Sequence, residues 1–377
     1  MTAVQASAPG KLMLIGEYAV LHGAPAVVMA VDRRARISVS PAAGAAGCLT
    51  APQLGIRDQR ITIERGQLDF APPGRVSSMG MTARFLSGLL EFMGLSDRDA
   101  AGIDLCMDSA ELFEVGPNGK TIKLGLGSSA AICAALGTAL ARYFGHESDQ
   151  AGAGPVAASP VVANLRLREW LPLYRQALQA GASGADLAAS LHGGVGKYVS
   201  ALPPANEPAI EPVFLSPKLQ WLAVWTGQAA QTTDFVSAFE RWRGQDPGPA
   251  GRRIEVLSRI AVQAAGSLDD ADGFVEVARD FREQLAGLGA AMGLEIMTVA
   301  HRRLAALADS LGLVYKSCGA GGGDLGIVLG TRPERIEAFR QQLSPELGLP
   351  LNLELDAAGA QADTVPGRIH EQNIKTS

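Results

Sequence analysis

Hydrophobic positions along the chain follow two periods: the alternation or short apolar run of a strand, and the wider spacing of a helix. Strands are predicted at Lys11–Ile15, Ala26–Met29, Ala35–Val39, Leu219–Trp225, Asp324–Leu329 and Leu351–Asp356. Helices are predicted at Ser128–Phe144, Asn164–Ala180, Thr233–Arg243, Arg252–Ala265, Gly273–Leu288 and Leu294–Leu311, with another begun by Pro333. Strands and helices alternate without a strict βαβ rhythm, which favours an α+β fold over a doubly wound sheet.

Two loose stretches interrupt these patterns. Residues 201–212 contain four prolines, which fit neither a helix nor a central strand, so they are a domain connector or a long surface excursion. Ser40–Gln59 is rich in Ala and Gly and is also predicted to be loose. A length of 377 residues favours two domains. We expect them at residues 1–205 and 206–360, followed by a flexible tail at 361–377.

Composition narrows the class of protein. Apolar residues make up 47% of the chain, and 33 basic against 38 acidic residues give a net charge of −5. This balance argues against nucleic-acid and anionic-membrane partners, which require clustered positive charge. The four cysteines form no CxxC pair, which favours reduced thiols in the cytoplasm. Leu124–Ala141 is uncharged but dominated by Ala, Gly and Ser, so a buried helix explains it better than a membrane span.

The strongest local signal is the glycine turn and helix start at residues 123–131. Gly125 and Gly127 permit close backbone approach, and Ser128 and Ser129 then open a long Ala-rich helix. Free amides and the positive end of the helix dipole favour a phosphate there, while a plain capped helix is the alternative. A Walker A loop does not fit, because Glu114 stands where its first glycine should be. The GxGxxA pattern leaves a weak oxidoreductase alternative, since the segment before it is a poor strand.

Three other segments carry candidate chemistry. Five glycines crowd residues 319–326, which favours a ligand loop over a linker. Asp186 follows a Gly-Ala-Ser-Gly turn and either caps a short helix or orients an attacking group. Lys11 begins an apolar strand, where it is either a strand-end charge or a group that neutralises a phosphate. Cys318 and His192 have no sequence-local partner and are better explained as structural residues.

Taken together, these segments resemble the motifs of the GHMP kinases, the superfamily of galactose, homoserine, mevalonate and phosphomevalonate kinases. The order agrees: APGKLMLIGEYAVLHG at 8–23, GLGSSAA at 125–131, ASGADLAASLHGG at 182–194 and GAGGGDLG at 319–326. The resemblance implies a two-domain α+β fold, with an N-terminal nucleotide-binding domain and a C-terminal α/β domain on the substrate side. It also implies ATP and Mg²⁺ as cofactors and phosphoryl transfer to a small-molecule acceptor.

The resemblance further implies roles for individual residues. Lys11 and Asp186 would be catalytic, and Ser129 would bind the metal. The residues expected at ATP are Lys123, Gly125, Leu126, Gly127, Ser128, Ser129 and Ala130. The residues expected at the acceptor are Lys11, Glu17, Tyr18, His22, Ser183, Gly184, Gly319, Ala320, Gly321, Gly322 and Asp324.

The wording of two motifs bears on the acceptor. GEYAV and GAGGGD are more similar to the family members that phosphorylate phosphomevalonate than to those that phosphorylate mevalonate, which stays the runner-up. Ala182 departs from the GSGxD pattern of the former group. Arg175 stands at the spacing where the latter carry a second metal-binding Glu, so the second metal ligand is unassigned, and Arg175 and Lys197 are alternative contacts for the acceptor phosphate. A silent metabolite-binding member is a further alternative, and the chain is expected to be a monomer or a homodimer.

Overall fold

The computed structural model describes residues 2–44, 46–64, 67–71, 80–95, 102–115, 121–145, 160–179, 182–201, 207–229 and 232–366. The strands within these residues are β1 Ala3–Ile15, β2 Ala26–Pro41, β3 Gly47–Ala51, β4 Ile56–Glu64, β5 Gln67–Ala71, β6 Ile103–Asp108, β7 Phe113–Val115, β8 Thr121–Lys123, β9 Val195–Val199, β10 Ala209–Val213, β11 Gln220–Trp225, β12 Val314–Ser317, β13 Leu325–Gly330, β14 Leu349–Leu351 and β15 Gln361–Val365. The α-helices are α1 Gly80–Phe92, α2 Ser128–Tyr143, α3 Pro160–Leu178, α4 Ala185–His192, α5 Thr232–Gln245, α6 Pro247–Ala265, α7 Ala271–Met292, α8 Val299–Ser310 and α9 Pro333–Gln342.

The larger sheet is built around the long strands β1 and β2. Its path runs β10-β9-β2-β6-β3-β4-β5, with β1 paired to both β2 and β15. Neighbouring strands are antiparallel except β3 and β6, which are parallel. The predicted strands Ala26–Met29 and Ala35–Val39 form one continuous strand, because β1 pairs with β2 along both of them. On its other edge, β2 pairs first with β9 and then with β6.

The second sheet has the order β12-β13-β11-β14 and is antiparallel throughout. Every residue of β12 and β13 is buried, and helices α7, α8 and α9 pack against these strands. Helices and antiparallel strands are therefore mixed as the α+β prediction requires.

Helix α2 lies against β1 and β2 in the core. Its residues from Ala130 to Ala141 are all buried, because Ala, Gly and Thr allow close approach to the sheet. This explains the uncharged stretch in the sequence as core packing. In the described part of the chain, no helix combines the length and apolar character needed to cross a bilayer.

Two of the local predictions are wrong. Ser40–Gln59 is not loose, since it contains β3 and the start of β4, which pair with each other and bury Leu49 and Ile56. Backbone pairing here overrides the Ala- and Gly-rich composition. Leu351–Asp356 is not a strand beyond Leu351, because among the described residues it pairs with β2 only through the isolated bridge Val31↔Leu355. The Glu354 amide donates to the Asp32 carboxylate instead.

The C-terminal segment is also corrected in part. Residues 361–365, predicted to begin a flexible tail, form β15 and pair with β1 from Ala3↔Val365 to Ser7↔Gln361. Residues 367–377 lie outside the described residues, as do 116–120 of the Walker-like segment. The proposed boundary at 205 falls in the undescribed stretch 202–206, and β10 just beyond it joins the larger sheet at its edge. The two-domain division stays a prediction.

Candidate active site

A cleft of about 430 Å³ brings the four glycine-rich segments together. Its walls come from the end of β1, the start of α2, the start of α4 and the loop between β12 and β13. The predicted site residues that line it are Lys11, Glu17, Tyr18, Lys123, Gly125, Gly127, Ser128, Ser129, Ser183, Asp186, Gly319, Ala320 and Asp324.

The turn before α2 is pressed against both β1 and the glycine loop. The Lys11 amide donates to the Leu126 carbonyl at 2.8 Å. Gly125 has a φ of +77°, and a Cβ there would lie 2.6 Å from the Cβ of Asp324. A glycine is therefore required at this position, both for the backbone conformation and for the approach of the loop.

The start of α2 faces the cleft with positive potential. Gly127 is the N-cap residue, and no side chain caps the first turn. The Ser129 side chain, Lys11 and Lys123 border the same space. Uncapped amides, the helix dipole and two ammonium groups suit a chain of phosphates. The first turn of α2 is therefore open towards the cleft and is not closed by a side-chain cap.

Asp186 is oriented from both sides at the start of α4. The Tyr174 hydroxyl donates to Asp186 Oδ2 at 2.7 Å, and the Leu187 amide donates to Oδ1 at 2.9 Å. Burial and the Asp186 charge raise the pKa of Tyr174 well above its usual value, so its hydroxyl keeps its proton. The carboxylate is thereby held in one direction, towards the cleft.

The turn that precedes α4 is fixed through its carbonyl groups. Arg175 donates to the carbonyls of Ala182 and Ser183 at 2.9 and 3.1 Å, and the Tyr198 hydroxyl donates to the Ser183 carbonyl at 2.5 Å. Arg175 thus supports the loop and does not line the cleft. Lys197 pairs with Glu211 at 2.9 Å, also outside the cleft.

The first motif is joined to the glycine loop by two contacts and to β12, the strand before that loop, by a third. The Tyr18 hydroxyl donates to the Ala320 carbonyl at 2.6 Å. Glu17 Oε1 accepts from the Lys316 ammonium at 2.5 Å and from the Gly319 amide at 3.3 Å. Tyr18 has a φ of +61°, an unfavourable conformation for a tyrosine that these contacts hold in place.

His301 supports the glycine loop from behind. Its Nδ1 lies 2.7 Å from the Tyr315 hydroxyl and its Nε2 lies 3.2 Å from the Gly323 carbonyl. Burial lowers the pKa of His301 to about 4, so the ring is neutral. Since a carbonyl only accepts, Nε2 carries the proton and donates. Burial likewise raises the pKa of the nearby Cys318 thiol to about 11, which agrees with a structural role.

Some predicted site residues do not line the cleft. His22 packs edge-on against Phe239, with ring centroids 5.5 Å apart. The remaining ones support the backbone or the core behind the walls: Leu126, Ala130, Gly184, Gly321 and Gly322. The helical and glycine patterns could not separate these residues from their lining neighbours, because adjacent residues in a turn point in different directions.

Sequence reasoning missed Tyr174, Lys316 and His301. Each is buried, and each bonds to a motif residue from a different part of the chain. Only Lys316 carried a usable signal, since a lysine inside an otherwise apolar strand requires a partner.

The chain is similar in sequence to known kinases over most of its length. The chain matches no model of a known protein family. It is 32% identical over 352 residues to the phosphomevalonate kinase of Streptomyces sp. strain CL190, covering 85% of this chain and 88% of that protein. It is 26% identical over 370 residues to human mevalonate kinase, covering 90% and 89%.

A solved structure shares the fold. The phosphomevalonate kinase of Streptococcus pneumoniae, in complex with phosphomevalonate and AMPPNP, superimposes with a TM-score of 0.69 at 20% identity, covering 94% of this chain and 100% of that one. The fold is therefore that of the GHMP kinases, a class of small-molecule kinases. Within that class, the chain belongs to the phosphomevalonate kinase family.

Proposed function

We propose that the protein transfers the γ-phosphoryl group of ATP to (R)-5-phosphomevalonate, giving ADP and 5-diphosphomevalonate. The observation that carries this proposal is the meeting of Lys11, the uncapped start of α2 and Asp186 in one cleft. The kinship with the Streptomyces enzyme supports the choice of acceptor.

Phosphoryl transfer to a phosphate acceptor requires neutralisation of negative charge more than it requires a general base. A phosphate oxygen of the acceptor attacks the γ-phosphorus, and the bond to the β–γ bridging oxygen breaks as ADP leaves. The acceptor phosphate is already largely ionised near neutral pH, since its second pKa is about 6. Lys11 would therefore offset the charge that two phosphates bring together. Asp186, held by Tyr174, would orient the acceptor for in-line attack.

The donor set suits Mg²⁺ that arrives with ATP. The described residues contain no cluster of three or more His, Cys, Asp or Glu that would hold a metal by itself. Mg²⁺ commonly binds through substrate phosphates and few protein oxygens, and the Ser129 hydroxyl on the cleft supplies one such oxygen. The bound ion would neutralise the β- and γ-phosphate oxygens.

Mevalonate is the second candidate acceptor. The long match to human mevalonate kinase supports mevalonate as an alternative acceptor. The GEYAV motif with Tyr18 and the GAGGGD motif with Asp324 favour phosphomevalonate. We further propose that the protein is cytoplasmic and that it is a monomer or a homodimer. Light scattering on the purified protein tests the oligomeric state.

A coupled assay for ADP tests the function. With Mg-ATP, turnover should be much faster with phosphomevalonate than with mevalonate, and the reverse preference would identify a mevalonate kinase. Asp186→Asn and Lys11→Met should each lower kcat by roughly 10²-fold, with little change in ATP binding. Lys218→Met, at an exposed turn before β11, is the matched lysine control and should leave turnover unchanged.

A further inference from the structure

A buried ion pair stands behind the acceptor side of the cleft. Lys316 lies on β12, an edge strand of the second sheet, with 0% of its side chain exposed, and Glu17 has 1% exposed. The Lys316 ammonium also donates to the carbonyls of Ser317 at 2.6 Å and Met13 at 3.5 Å. It therefore joins β12 to the end of β1 and to the first motif.

The two oxygens of Glu17 are used differently. Oε1 accepts from Lys316 and from the Gly319 amide, whereas the buried Oε2 has no hydrogen-bond partner among the described residues. Glu17 also lines the cleft. A buried carboxylate oxygen without a partner is costly, so this atom is a ready acceptor for a group that a ligand brings.

Stability alone is a weak reason for such a pair. Taking both charges out of water costs about as much as their attraction returns, and apolar residues of similar size often serve as well. The pair is neutral as a unit, so it adds no net repulsion towards an anionic acceptor. Phosphomevalonate and mevalonate both carry a hydroxyl that can donate a hydrogen bond.

We propose that Lys316 is a positioning residue of the acceptor site, which holds Glu17 so that Oε2 accepts a hydrogen bond from the acceptor's hydroxyl. This inference rests on the proposed function for the identity of the acceptor. Lys316 acts only through Glu17 and the Gly319 loop and makes no contact with the acceptor itself.

A double-mutant cycle tests the proposal. The dissociation constant of phosphomevalonate is measured by calorimetry for the wild type, Lys316→Met, Glu17→Gln and the double variant, with mevalonate in parallel. Each single variant should weaken acceptor binding by about tenfold or more, with the KM for ATP within about twofold. The double variant should bind about as weakly as either single one, because both changes remove the same interaction.

Three results would overturn the proposal. One is a folded Lys316→Met protein that binds the acceptor as the wild type does. Another is a double variant whose loss is the product of the two single losses. The third is recovery of acceptor binding in the double variant along with its thermal stability, which would make the role purely structural.

Two features keep the test decisive. If Lys316→Met alone does not fold, Glu17→Gln is compared with the double variant, because these two proteins differ only at Lys316. They are expected to bind the acceptor equally. Lys197→Met with Glu211→Gln makes the same change in an exposed pair and should leave binding unchanged. Failure of the proposed function would show as no phosphomevalonate binding by the wild type, and the cycle would then be read with mevalonate.

Discussion

Single buried residues at the cleft and behind it fix the direction of the groups that face it. Asp186 is directed by Tyr174, and the glycine loop is held by His301. Both supports are buried side chains with one hydrogen-bond partner in a motif. Changing them should alter the geometry of the site without removing any proposed reacting group.

Tyr174→Phe removes the hydroxyl that orients Asp186 and keeps the ring in the core. We expect kcat to fall by about tenfold, because a mispositioned acceptor loses part of the benefit of orientation, while the KM for ATP stays within about twofold. Steady-state kinetics give the measurement.

Tyr198→Phe is the matched control for this change. Tyr198 is an equally buried tyrosine whose hydroxyl donates to the Ser183 carbonyl and not to the carboxylate. Its kcat should fall less than that of Tyr174→Phe. Equal kcat values for both variants would argue against a specific role for the bond to Asp186.

His301 makes stability depend on pH. Burial lowers the pKa of this residue from 6.5 to about 4, so between these values the unfolded chain binds the proton more readily than the folded one. Stability is therefore present above pH 6.5 and is lost as the pH falls towards 4, by about 3 kcal/mol. Urea unfolding from pH 4 to 7 gives the free energy of unfolding at each pH. That free energy should rise less steeply with pH in His301→Gln than in the wild type, and an equally steep rise would refute the role given to His301.

At the scale of elements, the site is made of turns held by strands and helix ends. Each glycine-rich segment lies where a strand or helix begins or ends, and the surrounding sheets keep these termini close. Edge strands contribute to this framework even when they lie far from the cleft. β15 is the clearest example, since it covers β1, the strand that carries Lys11.

Removing β15 should therefore destabilise the protein. A chain ending at Ala360 loses five paired positions with β1, and its free energy of unfolding should fall by about 2 kcal/mol or more, at about 1 kcal/mol for each net backbone hydrogen bond. Thermal and urea unfolding give the measurement. A chain ending at Pro366 keeps β15 and should be as stable as the full-length protein.

At the scale of the whole molecule, the cleft takes its walls from segments attached to both sheets. The turn of Gly125 meets Asp324, and Tyr18 meets Ala320. A ligand in the cleft therefore touches parts of the chain that are about two to three hundred residues apart. Binding should accordingly stabilise the native state as one unit.

Ligand-linked stability tests this expectation. Mg-AMPPNP at about 100 times its dissociation constant should raise the free energy of unfolding by about 2.7 kcal/mol. Circular dichroism and tryptophan fluorescence should report the same raised midpoint, with Trp170 on α3 and Trp225 on β11 as reporters of different regions. A shift in only one signal would show that the two sheets unfold separately.

The sequence analysis predicted most elements because their signals are local. Glycine before Ser128 and proline at position 333 mark helix starts, and most of the predicted helices and strands are present with shifted ends. The predictions of a loose stretch at Ser40–Gln59 and of a strand over Leu351–Asp356 were wrong. Strand pairing depends on which other strand lies alongside, and the local sequence does not show this. The chemistry-bearing segments were found, but the direction of each side chain within a turn was not.

By itself, the sequence determined the glycine turns, the helix starts, the α+β class and the family resemblance, since these depend on residues close together in the chain. Only the tertiary structure decided that Tyr174 orients Asp186, that Lys316 pairs with Glu17 and that β15 completes β1. Glu17 and Lys316 are 299 positions apart. A buried polar group takes whatever partner the fold brings within about 3 Å, and that partner leaves no periodic trace in the sequence.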